Sequence, residues 1–161
     1  MSNITLENKT ILIVDDEPDV LESLEELLSM CTTVRAQTFK EADTLLKTRE
    51  FDIAILDIMG VDGYQLLETA TQRNVVTVML TAHALSPDNI KKSYQGGACS
   101  YIPKEEMINI ETFLLDVLKA KKAGKNPWTS WYKRLARFCE EKFGPDWDKD
   151  EKEFWEKMTY H

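Results

Sequence analysis

The chain has 161 residues, of which 28 are acidic and 20 basic, and its formal net charge is −8. This acidic balance argues against a nucleic-acid-binding surface, and a hydrophobic fraction of 43% excludes a wholly disordered chain. The sequence has neither an apolar segment long enough to span a membrane nor an N-terminal signal peptide, so we expect a cytoplasmic protein with one domain and a small appendage.

Residues 10–122 alternate short apolar segments with amphipathic segments, which is typical of parallel strands joined by helices on both faces of a sheet. Five strands are predicted, at residues 10–14, 34–38, 52–56, 75–80 and 98–102. A helix is predicted after each strand, and the fifth spans about 105–122. The predicted fold class is therefore α/β, with a doubly wound five-stranded parallel sheet in the order 2-1-3-4-5 and flanking helices.

Local signals indicate where several of these helices begin and end. Pro18 lies near the first position of the first helix, and Ser86 with Pro87 forms a cap and first-turn pair for the fourth. Gly96 and Gly97 end that fourth helix. These signals mark the boundaries of the first and fourth helices.

A charged linker over residues 121–126 separates this region from a tail of different composition. Asn126 and Pro127 predict the start of a helix, and Gly144 and Pro145 predict its end. Its apolar stripe comprises Trp128, Trp131, Tyr132, Leu135, Cys139 and Phe143. A second helix is predicted from near Asp148, so the tail is predicted to be an αα-hairpin.

The tail contains more aromatic surface than two short helices can bury against each other. Residues 127–161 hold nine of the fifteen aromatic residues, including all four tryptophans. Two coverings remain open, namely the flank of the preceding domain and a partner or second copy of the chain. We therefore predict a domain over residues 1–124 and an aromatic-rich helical extension over residues 125–161.

Polar side chains lie at the predicted carboxyl ends of four strands, where ligands bind in open parallel sheets. Asp15 and Asp16 follow the first strand, Asp57 the third, Thr81 the fourth and Lys104 the fifth. Three carboxylates in one crevice repel each other more strongly than a single lysine can compensate. We therefore expect a divalent cation with oxygen ligands there, and Mg²⁺ suits a site with few carboxylates.

In such a pocket, Asp57 is a candidate nucleophile toward a phosphoryl group. The cation, Lys104 and the Thr81 hydroxyl would support its attack, and the product would be an aspartyl phosphate. Each residue alone also has a purely structural interpretation; Asp15 or Asp16, for example, would favour the N-terminus of the first helix. The combination at converging strand ends favours a functional site.

These residues resemble the receiver domain of two-component response regulators over about residues 8–122. The resemblance lies in the acidic run Asp15–Glu17, in Asp57, in Thr81–Ala82 and in Tyr101–Lys104. It implies a CheY-like, flavodoxin-like fold and a phosphoryl group taken from a phosphohistidine of a sensor kinase onto Asp57. By the same resemblance, Asp15 and Asp16 hold Mg²⁺ together with Asp57.

The resemblance also implies roles for four further groups and several partners. The backbone carbonyl of Met59 completes the Mg²⁺ coordination, and Lys104 pairs with the acceptor or its phosphate. Thr81 and Tyr101 move together on phosphorylation and remodel the face formed by the fourth helix, fifth strand and fifth helix. The implied partners are a sensor histidine kinase or phosphotransfer protein, and a downstream protein or second copy bound through this face or the tail.

The sequence departs from the family pattern in two places. Receivers usually read Asp-x-x-Met-Pro-x-x-Asp-Gly after the acceptor, whereas the segment from Asp57 to Gly63 is two residues shorter and lacks the proline. The usual Lys-Pro pair is replaced by Lys104 and Glu105, with Pro103 before the lysine. A proline there is compatible with a fifth strand at the edge of the sheet.

Two interpretations of function remain. The first is a response regulator with a phosphoryl-accepting receiver and a short helical extension without a separate enzymatic output. The alternative is a receiver-fold scaffold or dimerisation module that works without phosphorylation. His83 lies at the predicted rim of the pocket, either as a modulator of dephosphorylation or as a solvated loop residue. A flavin-binding module is disfavoured, because the acidic run would repel a flavin phosphate.

Overall fold

The computed structural model describes residues 4–82 and 87–145 of the chain. In this part, five parallel strands form one sheet in the predicted order β2-β1-β3-β4-β5. The strands are β1 (Thr10–Val14), β2 (Thr32–Ala36), β3 (Ile53–Asp57), β4 (Val76–Thr81) and β5 (Ser100–Pro103). The helices are α1 (Pro18–Leu27), α2 (Phe39–Thr48), α3 (Gly63–Gln72), α4 (Pro87–Gln95), α5 (Ile110–Lys122) and α6 (Pro127–Phe143).

The apolar sequences of the central strands explain their position in the core. Every residue of β3 is buried, and in β1 only Thr10 is not fully covered. Such continuous burial is typical of parallel strands with helices on both faces. The amphipathic helices cover these faces with a few apolar residues each, for example Leu21 and Leu24 of α1. The packed sheet therefore holds the strand ends, and the side chains that follow them, in fixed positions.

The sequence prediction of β1 is confirmed, but the other strands are displaced by one or two residues. β2 lies over residues 32–36 instead of 34–38, because Thr32 pairs with Thr10 and the Thr38 hydroxyl caps α2 by accepting the N–H of Glu41 at 3.2 Å. The remaining three strands extend further toward their carboxyl ends than predicted. Asp57 and Thr81 are therefore the last residues of β3 and β4.

The predicted start of the fifth helix near residue 105 is wrong. Residues Lys104–Asn109 form a 3₁₀ helix, and α5 begins only at Ile110. None of the residues in this 3₁₀ segment is buried, and its core contact is through the partly buried Met107, which is less apolar cover than an amphipathic α-helix usually has. Ile108, which the sequence pattern placed on the apolar face, is 75% exposed.

The first helix of the tail forms where predicted and packs on the domain itself. The side chain of Asn126 caps it by accepting the N–H of Trp128 at 3.0 Å, and Gly144 follows its last turn. The helix contacts α5 and β5, and the indole rings of Trp128 and Trp131 are each only 2% exposed. Of the two coverings left open by the sequence, the described helix therefore uses the flank of the domain.

The two indole N–H groups attach α6 to the edge of the sheet. Nε1 of Trp128 donates to the carbonyl of Ala98 at 2.8 Å, and Nε1 of Trp131 donates to the carbonyl of Tyr101 in β5 at 2.6 Å. The two indole rings meet edge to face with centroids 5.0 Å apart, and Tyr94 of α4 makes a similar contact with Trp128 at 5.7 Å. Since β5 is an edge strand, α6 covers backbone that would otherwise face solvent.

Some predicted features lie outside the described residues. They are the cap residue Ser86, the loop residue His83 and the second tail helix from near Asp148. Among the helices of residues 4–82 and 87–145, none is long and apolar enough to cross a membrane.

Candidate functional site

Asp15 is the buried acidic residue of the site, and it follows β1 directly. Its side chain is fully buried, and Oδ1 accepts the backbone N–H of Glu17 at 2.9 Å. Oδ2 lies 2.9 Å from Nζ of Lys104, but within the described structure it accepts no hydrogen bond. Burial raises the pKa of this carboxyl, although Lys104 opposes the shift. A buried carboxylate oxygen is thus left able to accept a further ligand.

Lys104 lies at the centre of the acidic groups. Its Nζ is 2.9 Å from Asp15 Oδ2, 3.2 Å from Glu17 Oε1 and 3.5 Å from Asp57 Oδ1, and its side chain is 13% exposed. Burial alone would lower the pKa of this ammonium, but the neighbouring carboxylates, Asp15 first, outweigh it and raise the pKa. Lys104 is therefore a fixed positive charge that three carboxylates share.

Asp57, at the end of β3, presents its two carboxylate oxygens to different partners. Oδ1 faces Lys104, and Oδ2 accepts the backbone N–H of Gly60 at 3.0 Å. The side chain is 6% exposed, and this burial raises the pKa of the carboxyl despite the opposing charge of Lys104. The carboxylate is held in one orientation at the edge of the cavity.

The carboxylates together form an oxygen-rich site suited to a hard cation. Asp15, Asp16 and Glu17 each offer an oxygen atom, and these atoms lie within 4.8 Å of one another. With Asp57, four carboxylates face the single ammonium of Lys104. The excess negative charge and the all-oxygen donors fit Mg²⁺.

A cavity of about 220 Å³ opens above these groups. Asp16, Glu17, Asp57, Met59, Gly60, Thr81, Ala82 and Lys104 line it. The convergence predicted from the strand ends is thus present in the structure; the buried Asp15 does not line the cavity but contacts Lys104, which does. The cavity is large enough for a phosphoryl group together with a cation.

The remaining predicted site residues differ in how close they come to the cavity. Thr81 lines it and is 1% exposed, whereas the side chain of Met59 is 72% exposed at its border. Tyr101 is not among the lining residues; it is fully buried in β5, where it lies beside Met79 of β4. His83 lies outside the described residues.

Sequence reasoning missed two residues of the site. Glu17 was interpreted as part of a helix start and of the acidic run but not as a site residue, although its carboxylate contacts Lys104. Gly60 was interpreted only as a loop residue, although its N–H binds Asp57 and its Cα lies against Asp16. A third consecutive acid and a glycine in a shortened loop were the available signals.

Comparison with known proteins identifies a family for most of this domain. Residues 11–113 match the response regulator receiver domain. The two-component response regulator ARR10 of Arabidopsis thaliana is 34% identical over 128 residues, which cover 72% of this chain and 23% of that protein. ARR18 of the same plant is 36% identical over 100 residues, or 58% of this chain and 16% of that protein. The chain therefore matches less than a quarter of the length of these relatives.

Solved structures agree with this sequence match. A CheY-like response regulator receiver domain protein from Methanospirillum hungatei is 29% identical, with a TM-score of 0.59 over 68% of this chain and 95% of that one. A signal receiver domain from a Pseudomonas fluorescens protein that contains an HD domain is 25% identical, with a TM-score of 0.64 over 73% of this chain.

Proposed function

Because the chain belongs to the response regulator receiver domain family, we propose that it accepts a phosphoryl group on Asp57 in a two-component phosphorelay. The donor would be the phosphohistidine of a sensor histidine kinase or phosphotransfer protein, in the cytoplasm where such kinases use ATP. The observation that carries this proposal is the placement of Asp57 in one cavity with Asp16, Thr81 and Lys104. A change in a protein-interaction surface after phosphorylation is part of the same proposal.

The cation site would be formed by Asp15, Asp16, Asp57 and the backbone carbonyl of Met59. Bound Mg²⁺ would neutralise the charge of the acidic cluster and of the incoming phosphoryl oxygens. The clustered carboxylates, and the buried Asp15 carboxylate whose Oδ2 has only the Lys104 ammonium beside it among the described groups, support this assignment.

The protein residues would contribute orientation and charge to the transfer. A carboxylate oxygen of Asp57 forms the new bond to phosphorus while the bond from phosphorus to the donor's imidazole nitrogen breaks. The N–H of Gly60 restrains the carboxylate, and Lys104 is near enough to balance developing negative charge. Thr81 would offer its hydroxyl to a phosphoryl oxygen.

The proposed response to phosphorylation involves Thr81 and Tyr101 and the face formed by α4, β5 and α5. In this chain α6 already covers the β5 side of that face. We therefore assign residues 1–124 to the phosphoryl-accepting domain and residues 125–161 to an extension attached to its flank. A downstream protein or a second copy would bind the remaining part of this face or the extension.

Incubation of the full chain with Mg²⁺ and acetyl phosphate tests the proposal. Intact-mass measurement should show the addition of one phosphoryl group, which should be absent in Asp57→Asn and after chelation of Mg²⁺. Lys104→Ala and Thr81→Ala should slow the addition without moving it to another residue. If the wild-type chain gains no phosphate under conditions that phosphorylate another receiver, the scaffold interpretation replaces this one.

His83 remains a predicted modulator of dephosphorylation. Its replacement by alanine should change the half-life of the phosphorylated chain and leave the extent of phosphorylation unchanged. An unchanged half-life would assign His83 to the solvated loop instead.

A further inference from the structure

We infer that Gly60 is a positioning residue that allows Asp16 to face the cation site, because any side chain at position 60 would displace the Asp16 carboxylate. This inference rests on the proposed function and concerns Gly60, which follows Met59 where the family pattern has a proline after its methionine. The shortened acceptor loop brings the backbone of Gly60 against the acidic run that follows β1.

The need for glycine at this position comes from space and not from backbone conformation. The described glycines with positive φ are Gly97, Gly124 and Gly144, so Gly60 does not occupy the left-handed region that favours glycine. However, a Cβ built on Gly60 would lie 2.6 Å from Oδ2 of Asp16, and closer still to Oδ1 and Cγ. Real Cβ atoms do not approach other atoms this closely, so the carboxylate of Asp16 would have to move.

Gly60 positions Asp16 and Asp57 in two different ways. Gly60 holds Asp57 through its N–H, which alanine retains, whereas it accommodates Asp16 through its missing side chain. Asp16 is exposed, so its side chain can rotate away without disturbing the core. Gly60→Ala should therefore leave the acceptor oriented and the fold intact, and should weaken only the cation site.

Isothermal titration of the full chain with MgCl₂ tests this inference without relying on phosphorylation. Gly60→Ala should lower the Mg²⁺ affinity by roughly 10- to 100-fold, as is usual when a group that orients a metal ligand is changed. Its thermal midpoint in EDTA should equal or slightly exceed that of the wild type. Phosphorylation of this variant by acetyl phosphate should recover at high MgCl₂, whereas that of Asp57→Asn should not.

A second pair of variants shows whether Asp16 carries the effect. Asp16→Ala removes the atoms that clash, so adding Gly60→Ala to it should cause no further loss of Mg²⁺ affinity. The inference is overturned if Gly60→Ala binds Mg²⁺ within about two-fold of the wild type, if its loss persists in the Asp16→Ala background, or if it lowers the midpoint in EDTA. A wild-type chain that binds no Mg²⁺ would instead remove the proposed function itself.

Discussion

Trp131→Phe tests how firmly α6 is held on the edge of the sheet. The substitution keeps an aromatic ring in a position that is 2% exposed, but it removes the indole N–H that donates to the Tyr101 carbonyl at 2.6 Å. Loss of a buried hydrogen-bond donor typically costs about 1–3 kcal/mol. Trp131→Ala also leaves a cavity, so its expected cost is about 3–5 kcal/mol.

Urea unfolding followed by far-UV circular dichroism measures these differences without relying on tryptophan fluorescence, which the substitution itself changes. In a chain of this length, each kcal/mol corresponds to a shift of about 2–4 °C in the thermal midpoint. Lys133→Ala is a matched control because Lys133 is an exposed residue of the same helix, and it should change stability by less than about 0.5 kcal/mol.

The stability of Trp131→Ala shows whether α6 packs against β5 in solution. If Trp131→Ala were no less stable than Lys133→Ala, α6 would not be packed against β5 in solution, and its tryptophans would be available to a partner. If Trp131→Ala were destabilised and Trp131→Phe were not, packing would hold the helix and the hydrogen bond to Tyr101 would add nothing.

Three further predictions concern the acidic site. Asp57→Asn should stabilise the chain by about 1 kcal/mol at neutral pH in EDTA, because burial raises the pKa of the Asp57 carboxyl. This gain should shrink as the pH falls through the raised pKa toward the unfolded-state value of about 3.9. Urea midpoints of the two chains that stay parallel from pH 7.5 down to about 4 would contradict this. Lys104→Ala leaves the buried Asp15 without its positive neighbour, so it should lower the free energy of unfolding in EDTA by about 3 kcal/mol. Thermal unfolding should show that MgCl₂ restores part of this stability. A loss of stability that is insensitive to MgCl₂ would argue against the cation site. Gly63→Ala, unlike Gly60→Ala, should destabilise the fold by at least about 1 kcal/mol, because the new Cβ would meet the backbone of Asp57 and Ile58. If the variant had the same thermal midpoint as the wild type, the loop would be able to move away from the added methyl group.

The sheet and the convergence of the site were predictable because both follow from short-range patterns. Alternating apolar and amphipathic segments fix five strand-helix units, and parallel strands bring their carboxyl ends to one edge. Asp57 and Thr81 could therefore be placed together although they are far apart in sequence. This placement of Asp57 and Thr81 did not depend on the geometry of the loops.

Features that depend on backbone path were not predictable from these patterns. The displacement of β2 depends on its pairing with β1, and the 3₁₀ helix Lys104–Asn109 depends on how little of this segment the fold buries. The contact between Gly60 and Asp16 depends on how tightly a shortened loop closes, which neither composition nor periodicity records. Glu17 reaches Lys104 for the same reason, through the turn that Asp15 stabilises.

The covered edge of the sheet has a consequence for assembly. An open parallel sheet has two edge strands, each able to accept a strand from another molecule. Here α6 lies over the β5 edge, while the β2 edge carries Arg35, which is paired with Glu25 of α1. Growth of the sheet from chain to chain is thus obstructed at both ends. Shortening the protein to residues 1–124 would remove α6 while keeping α5, expose the edge of β5 and create a surface prone to self-association.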